Sequence, residues 1–235
     1  MTAVFMRLLH ERDRLLSDVL GDTPLVLLSG SLVVLMVTAA AAYGSVLGIW
    51  HGARLAAYDA VKFPMVLLLT SAFTVVFSWI VARAFAVDLR FAQVIALTLV
   101  SLATASLVLC SLAPVALFLT LCAPPPSAAT RTTHNALYLM HTAFVGACGV
   151  AGTRFLWTAM QRLRRPRGVM RRVYVSWVLV YALVGGEVAW ALRPFVGSVS
   201  PQYPVTFLRR DALKGNVYEF IGTDIVPYLW SRSRH

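Results

Sequence analysis

A carboxylate, Glu187, stands behind the glycine pair Gly185–Gly186 in the apolar run VYALVGGEVAWALRPFVG at 180–197, which Arg193–Pro194 closes. An uncompensated acid in hydrocarbon costs about 2.5–3.5 kcal/mol on insertion scales, so Glu187 is expected to be protonated, paired or turned to a polar cavity. His141 is the candidate partner. At a helical rise of about 1.5 Å per residue, Glu187 lies about 7–8 Å inside one end of its run, and His141 about 9 Å inside the same end of the preceding run. Arg193 extends the set by bending back from the interface. Two chemistries fit: a carboxylate and an imidazole that share a proton or hold a cation, or a buried hydrogen bond that fixes two helices. No further acids continue a relay across the bilayer.

Other site chemistry is missing from the pattern. There is no phosphate loop, no HExxH and no GxSxG turn. Ser29 and Ser31 lie near the opposite membrane face from His141, which leaves serine proteolysis without its base. His134 and His141 stand about 10 Å apart along a helix, too far for one metal ion. Cys110, Cys122 and Cys148 have no ligand spacing and read as packing residues. No metal, cofactor or catalytic residue is expected, and the chain does not read as an enzyme.

These residues sit in a chain that is 59% hydrophobic and 13% charged over 235 residues. That leaves too little polar surface to cover a soluble globule. The apolar residues gather into runs of about twenty, the length that a hydrocarbon core of about 30 Å demands of a helix. The expected fold is all-α: a five-helix transmembrane bundle with spans at about 24–50, 63–82, 91–122, 135–160 and 173–192. Lys62-Phe63-Pro64 is expected to open the second span, with proline in the first turn, and Pro114 to kink the third. Residues 1–23 read as an amphipathic segment lying on the membrane, with apolar positions from Phe5 to Leu20 on one stripe. Its acidic residues fit no cleavable leader. The tail, 193–235, carries a short helix signal with Asn216 as N-cap and Glu219 three residues on.

Gly44, Gly48 and Gly52 recur every four residues on the first span, and Gly146, Gly149 and Gly152 make a second small-residue patch on the fourth; both are expected to admit another helix closely. Arg162, Arg164, Arg165, Arg167, Arg171 and Arg172 crowd between the last two spans. This basic loop is a topology determinant, and its charges can also meet anionic lipid headgroups. It places the amino terminus in the cytoplasm and the tail outside. A net charge of +11 does not indicate nucleic acid, because no solvated aromatic platform accompanies it. Lysine occurs only at Lys62 and Lys214, which points to a GC-rich genome and a bacterial inner membrane.

Lys62-x-Pro64 with Thr70, Ser111–Val115 (SLAPV) and Leu192–Gly197 (LRPFVG) resemble stretches of uncharacterised bacterial multi-span integral membrane proteins. The layout resembles that of Yip1-type five-span proteins. The resemblance implies a membrane-embedded helical fold and brings no site residues with it. The expectation is therefore a non-catalytic scaffold or subunit that meets lipids and other membrane-protein subunits. Tail aromatics such as Phe195, Tyr203, Phe207 and Trp230 would serve as anchors. The alternative is a small transporter or channel component that binds a proton or cation at Glu187 and His141.

Overall fold

The structure is a computed structural model, and it describes residues 2–21, 23–163, 165–197, 205–208 and 215–216. Every regular element among them is helical: α1 (Thr2–His10), α2 (Arg12–Leu20), α3 (Val26–Gly48), α4 (Ala53–Ala84), α5 (Phe91–Ser111), α6 (Ala113–Leu121), α7 (Arg131–Gln161) and α8 (Arg167–Ala191), with one 3-10 turn at Ala128–Thr130. Five of these, α3, α4, α5, α7 and α8, are long and apolar enough to cross a bilayer. The chain is an all-α integral membrane protein.

Around the bundle the helices run in the order α8, α4, α3, α5, α7, each packed on the next. The ring barely closes, because α7 and α8 touch only lightly. Burial is lowest at the two helices that flank the loose seam. Over its most apolar stretch α5 is 56% buried and α8 only 11%. The proximal end, which holds α1 and α2, has a core of Leu15, Leu16, Leu32, Met36, Val94, Leu97, Phe155, Met160 and Trp177. The distal end, at the α3–α4 turn, has a second core of Tyr43, Leu47, Trp50, Phe63, Leu109, Leu137 and Val196.

Several boundaries differ from the sequence reading. The amphipathic stripe breaks at Glu11 into two helices, and Leu15, Leu16 and Val19 are fully buried on the bundle rather than lying in lipid. Polar contacts fasten this cap: Arg7 to Asp18, Arg162 to Asp13, Arg90 to the Gly21 carbonyl, and Gln93 Nε2 to the Leu20 carbonyl at 2.9 Å. Helix α4 begins at Ala53, ten residues ahead of the expected start, and takes Pro64 into its interior. Neighbouring helices make such a proline tolerable in a membrane. The third span is one helix only to Ser111, and a second starts at Ala113 with Pro114 in its first turn. The proline starts a helix there instead of bending one.

Arg167, Arg171 and Arg172 lie on α8 itself, which starts six residues earlier than expected and shortens the basic loop. They and Arg165 are exposed, Arg162 is engaged with Asp13, and Arg164 lies outside the described residues. So does the tail helix signal beyond Asn216, together with Tyr203 and Trp230.

The glycine patches divide by function. A Cβ on Gly44 would strike the Asp59 carbonyl, and one on Gly48 would sit 2.6 Å from Ala56 N. Both let α3 and α4 touch backbone to backbone. Gly152 does the same against α5, where a Cβ would lie 2.5 Å from the Ser101 carbonyl. Gly52 belongs to no ridge. It turns the chain with φ +126°, in the left-handed region that favours glycine, and nothing lies near its missing Cβ. Gly146 and Gly149 also face open space, at the seam between α7 and α8.

Candidate functional site

The close approach of α3 and α4 seats two charges that the sequence reading placed at or beyond a membrane edge. Asp59 and Lys62 are one helical turn apart on α4, and both side chains are 0% exposed. Lys62 Nζ lies 3.6 Å from Asp59 Oδ1, an ion pair longer than a hydrogen bond. The ammonium donates instead to the Pro194 carbonyl at 2.8 Å. It also lies 5.7 Å from the ring centre of Phe195 and 5.3 Å from that of Phe207, in the range where an aromatic face attracts a cation. Phe207 is held edge-on by Tyr58 at 5.4 Å. Neither Asp59 oxygen has a hydrogen-bond partner. Its carboxylate depends on the neighbouring ammonium alone.

The segment that roofs this pair is the stretch closing the last span. Val196 is buried in the distal core. The Gly197 carbonyl lies 3.1 Å from His134 Nε2. A Cβ on Gly197, at φ +82°, would sit 2.5 Å from His51 Cδ2, so only glycine fits against that imidazole. Trp50 packs on His134 at 5.7 Å and donates from Nε1 to the Pro124 carbonyl at 2.9 Å. Residues 194–197 thus form a strap pinned at three points: Lys62, His51 and His134.

The expected Glu187–His141–Arg193 cluster does not form. His141 Nδ1 pairs with the Tyr43 hydroxyl at 2.8 Å, and the two rings meet edge to face. Arg193 folds over Trp190, with Cζ 3.7 Å from the ring centre and NH1 donating to the Trp190 carbonyl at 2.9 Å. Glu187 is half-buried, and its Oε1 is buried with no hydrogen-bond partner. The depth argument compared two helices, but His141 turns toward α3, which that comparison left out.

Asp59, Tyr43 and the strap are what sequence reasoning missed. A signal for Asp59 existed: an acid three residues before one of only two lysines, with spacing that shares a helix face. Starting the span at Lys62 hid it. Cys148 is buried, Cys110 half-buried and Cys122 exposed. Among the described residues no three His, Cys, Asp or Glu side chains gather as a metal site would require. Comparisons with family models, with curated proteins and with solved structures each find no match for this chain.

Proposed function

We propose that this chain is a non-catalytic scaffold or subunit of a larger membrane assembly. The observation that carries the reading is the complete burial of Asp59 and Lys62 beneath the strap. A charge that binds a transported ion must meet water at some stage, whereas here Lys62 ties α4 to the segment 194–197 and Asp59 is enclosed beside it. His141, satisfied by Tyr43, serves the same end. Among the described residues the one hydroxyl paired with an imidazole, Tyr43 with His141, is buried away from any pocket opening, which does not favour catalysis. Exposed Arg165, Arg167, Arg171 and Arg172 at the proximal end fit the cytoplasmic face of a bacterial inner membrane, next to anionic headgroups. The strap then lies at the outer face, and the partners are other membrane-protein subunits.

A second reading rests on Glu187, whose unpartnered Oε1 suits a proton or cation site in a small transporter component; His141 no longer belongs to it. Proteoliposomes separate the two. A scaffold gives no proton or cation flux above that of empty liposomes, and the protein extracted gently from its own membrane runs with companion polypeptides in fixed ratio. Flux that Glu187→Gln abolishes, from a protein that runs alone, would overturn the proposal.

A further inference from the structure

Below the cap made by α1 and α2, an open groove runs between α5 and α7, with α2 across its proximal mouth. Its two ends differ in chemistry. Helix α7 runs from the distal core to the proximal one, so the groove descends along it from Thr158 to Ala147, about 16 Å at the helical rise of about 1.5 Å per residue. Ala147, Val150 and Ala151 line the deep part with Val108 of α5. The two alanines stand one turn apart and leave a shallow apolar channel. The mouth carries Arg12, Asp13 and Arg154 instead.

The positive charge at this mouth is not balanced within the chain. Asp13 is taken by Arg162, which also donates to the Asp13 carbonyl at 3.1 Å. Glu11, beside it, faces Arg14 at 3.4 Å. Arg12 donates from Nε to the Leu8 carbonyl at 3.0 Å, and its two terminal nitrogens have no partner among the described residues. The Arg154 guanidinium has none there either; only its backbone carbonyl is engaged, accepting from the Thr158 hydroxyl at 3.0 Å. Both arginines are exposed, so their donors are open to whatever occupies the groove.

This pattern selects the occupant by charge and polarity. Arg154 is on a membrane-spanning helix, where a bare guanidinium in hydrocarbon is costly and a long side chain turns toward the headgroups. Two guanidiniums at one mouth suit phosphate, whose oxygens accept paired N–H donors. A free phosphate would leave the apolar channel below it unused. A phospholipid meets both ends in the orientation it already holds in a leaflet, with its phosphate at the mouth and an acyl chain descending. A choline headgroup would bring a cation beside Arg12 and Arg154, so a lipid whose headgroup charge is its phosphate alone fits better.

We propose that the groove binds one phospholipid of net negative charge, its phosphate between Arg12 and Arg154 and an acyl chain along Ala151 and Ala147. This is a defined site on α2 and α7, distinct from the general attraction of Arg165, Arg167, Arg171 and Arg172 to a charged leaflet. It does not depend on the chain's being a scaffold. The bound lipid links the cap to α7 beside the contact of Asp13 with Arg162.

The full chain, freed of lipid in mild detergent, is titrated with phosphatidylglycerol or with phosphatidylcholine of the same acyl chains, and bound lipid is counted by native mass spectrometry. One phosphatidylglycerol per chain is expected to bind about tenfold more tightly than phosphatidylcholine, and a large excess of glycerol phosphate should not displace it. Arg12→Gln with Arg154→Gln should weaken phosphatidylglycerol about tenfold or more, the scale of one to two charge-assisted hydrogen bonds. Arg165→Gln with Arg171→Gln removes equal charge from the same end and should leave binding within about twofold. Ala147→Trp blocks the channel and should weaken binding with both arginines in place, an independent reading if the arginine pair lowers the yield of folded protein. Thermal unfolding checks that each variant is folded. Equal binding of the two lipids, displacement by glycerol phosphate, or indifference to Ala147→Trp overturns the proposal. So does a loss with the loop pair as large as that with Arg12 and Arg154, or a co-purified polypeptide that must be removed before lipid binds.

Discussion

At the distal end of the bundle, charge is enclosed: Asp59 and Lys62 are sealed between two helices joined at glycine, and a strap closes over them. At the α7–α8 seam the polar atoms that are left are neutral, they lack partners, and the helices beside them stand apart. The two regions lie in one membrane-embedded chain, so the surrounding solvent does not explain the contrast. The difference is whether the chain provides its own counterpart. Where it does, glycine brings backbones into contact and the polar groups fix register. Where it does not, glycine leaves space.

The largest effect should come from breaking one half of the ion pair. Lys62→Met leaves Asp59 buried with no counter-charge and frees the Pro194 carbonyl, and loss of one partner of a buried pair costs about 3–5 kcal/mol. Unfolding in detergent followed by helical circular dichroism should report that loss. The double change Asp59→Leu with Lys62→Met removes both charges and should recover most of it. If the single change is as mild as the double, the pair does not hold the strap.

A smaller effect separates the two glycine patches. Gly48→Ala puts a methyl 2.6 Å from Ala56 N, where backbone must move, and overpacking of this kind costs about 1–3 kcal/mol. Gly149→Ala meets open space and should be neutral or slightly stabilising, because alanine is the better helix former by about 1 kcal/mol. Similar melting temperatures for the two would remove the distinction. Tyr43→Phe comes next. It takes the hydroxyl from His141, and interhelical hydrogen bonds in membranes average about 0.6 kcal/mol.

The long apolar runs and their number were legible in the sequence, because bilayer thickness imposes a length that composition alone reveals. Helix ends were less so. Residues 53–62 contain Arg54, Asp59 and Lys62 and look like a polar loop, yet they continue α4 because α3 covers one face of them and Asp59 and Lys62 have each other. The glycines of the first span announced a packing face, and Gly44 and Gly48 are one. Gly146 and Gly149 belong to a similar small-residue patch, spaced by three rather than four, but a Cβ on either would meet no neighbour within 4 Å among the described residues. Glu187 drew attention as a solitary acid, and periodicity could not show that His141 turns toward Tyr43. Pair formation across helices depends on rotation about each axis, which a linear pattern does not encode.

The smallest predicted effect is the most discriminating for the seam. Trp177 is buried in the proximal core, so a change at this site would ordinarily destabilise the fold. Trp177→Phe keeps most of the apolar ring and removes an N–H that has no partner. An orphan buried donor costs about 1–3 kcal/mol, and its removal offsets the packing lost with the larger ring. The net change in stability should therefore fall within about 0.5 kcal/mol of zero, measured by the same unfolding assay. A loss above about 2 kcal/mol would mean that the indole nitrogen bonds within the chain after all. That result would make the seam as self-sufficient as the distal end and erase the contrast between them.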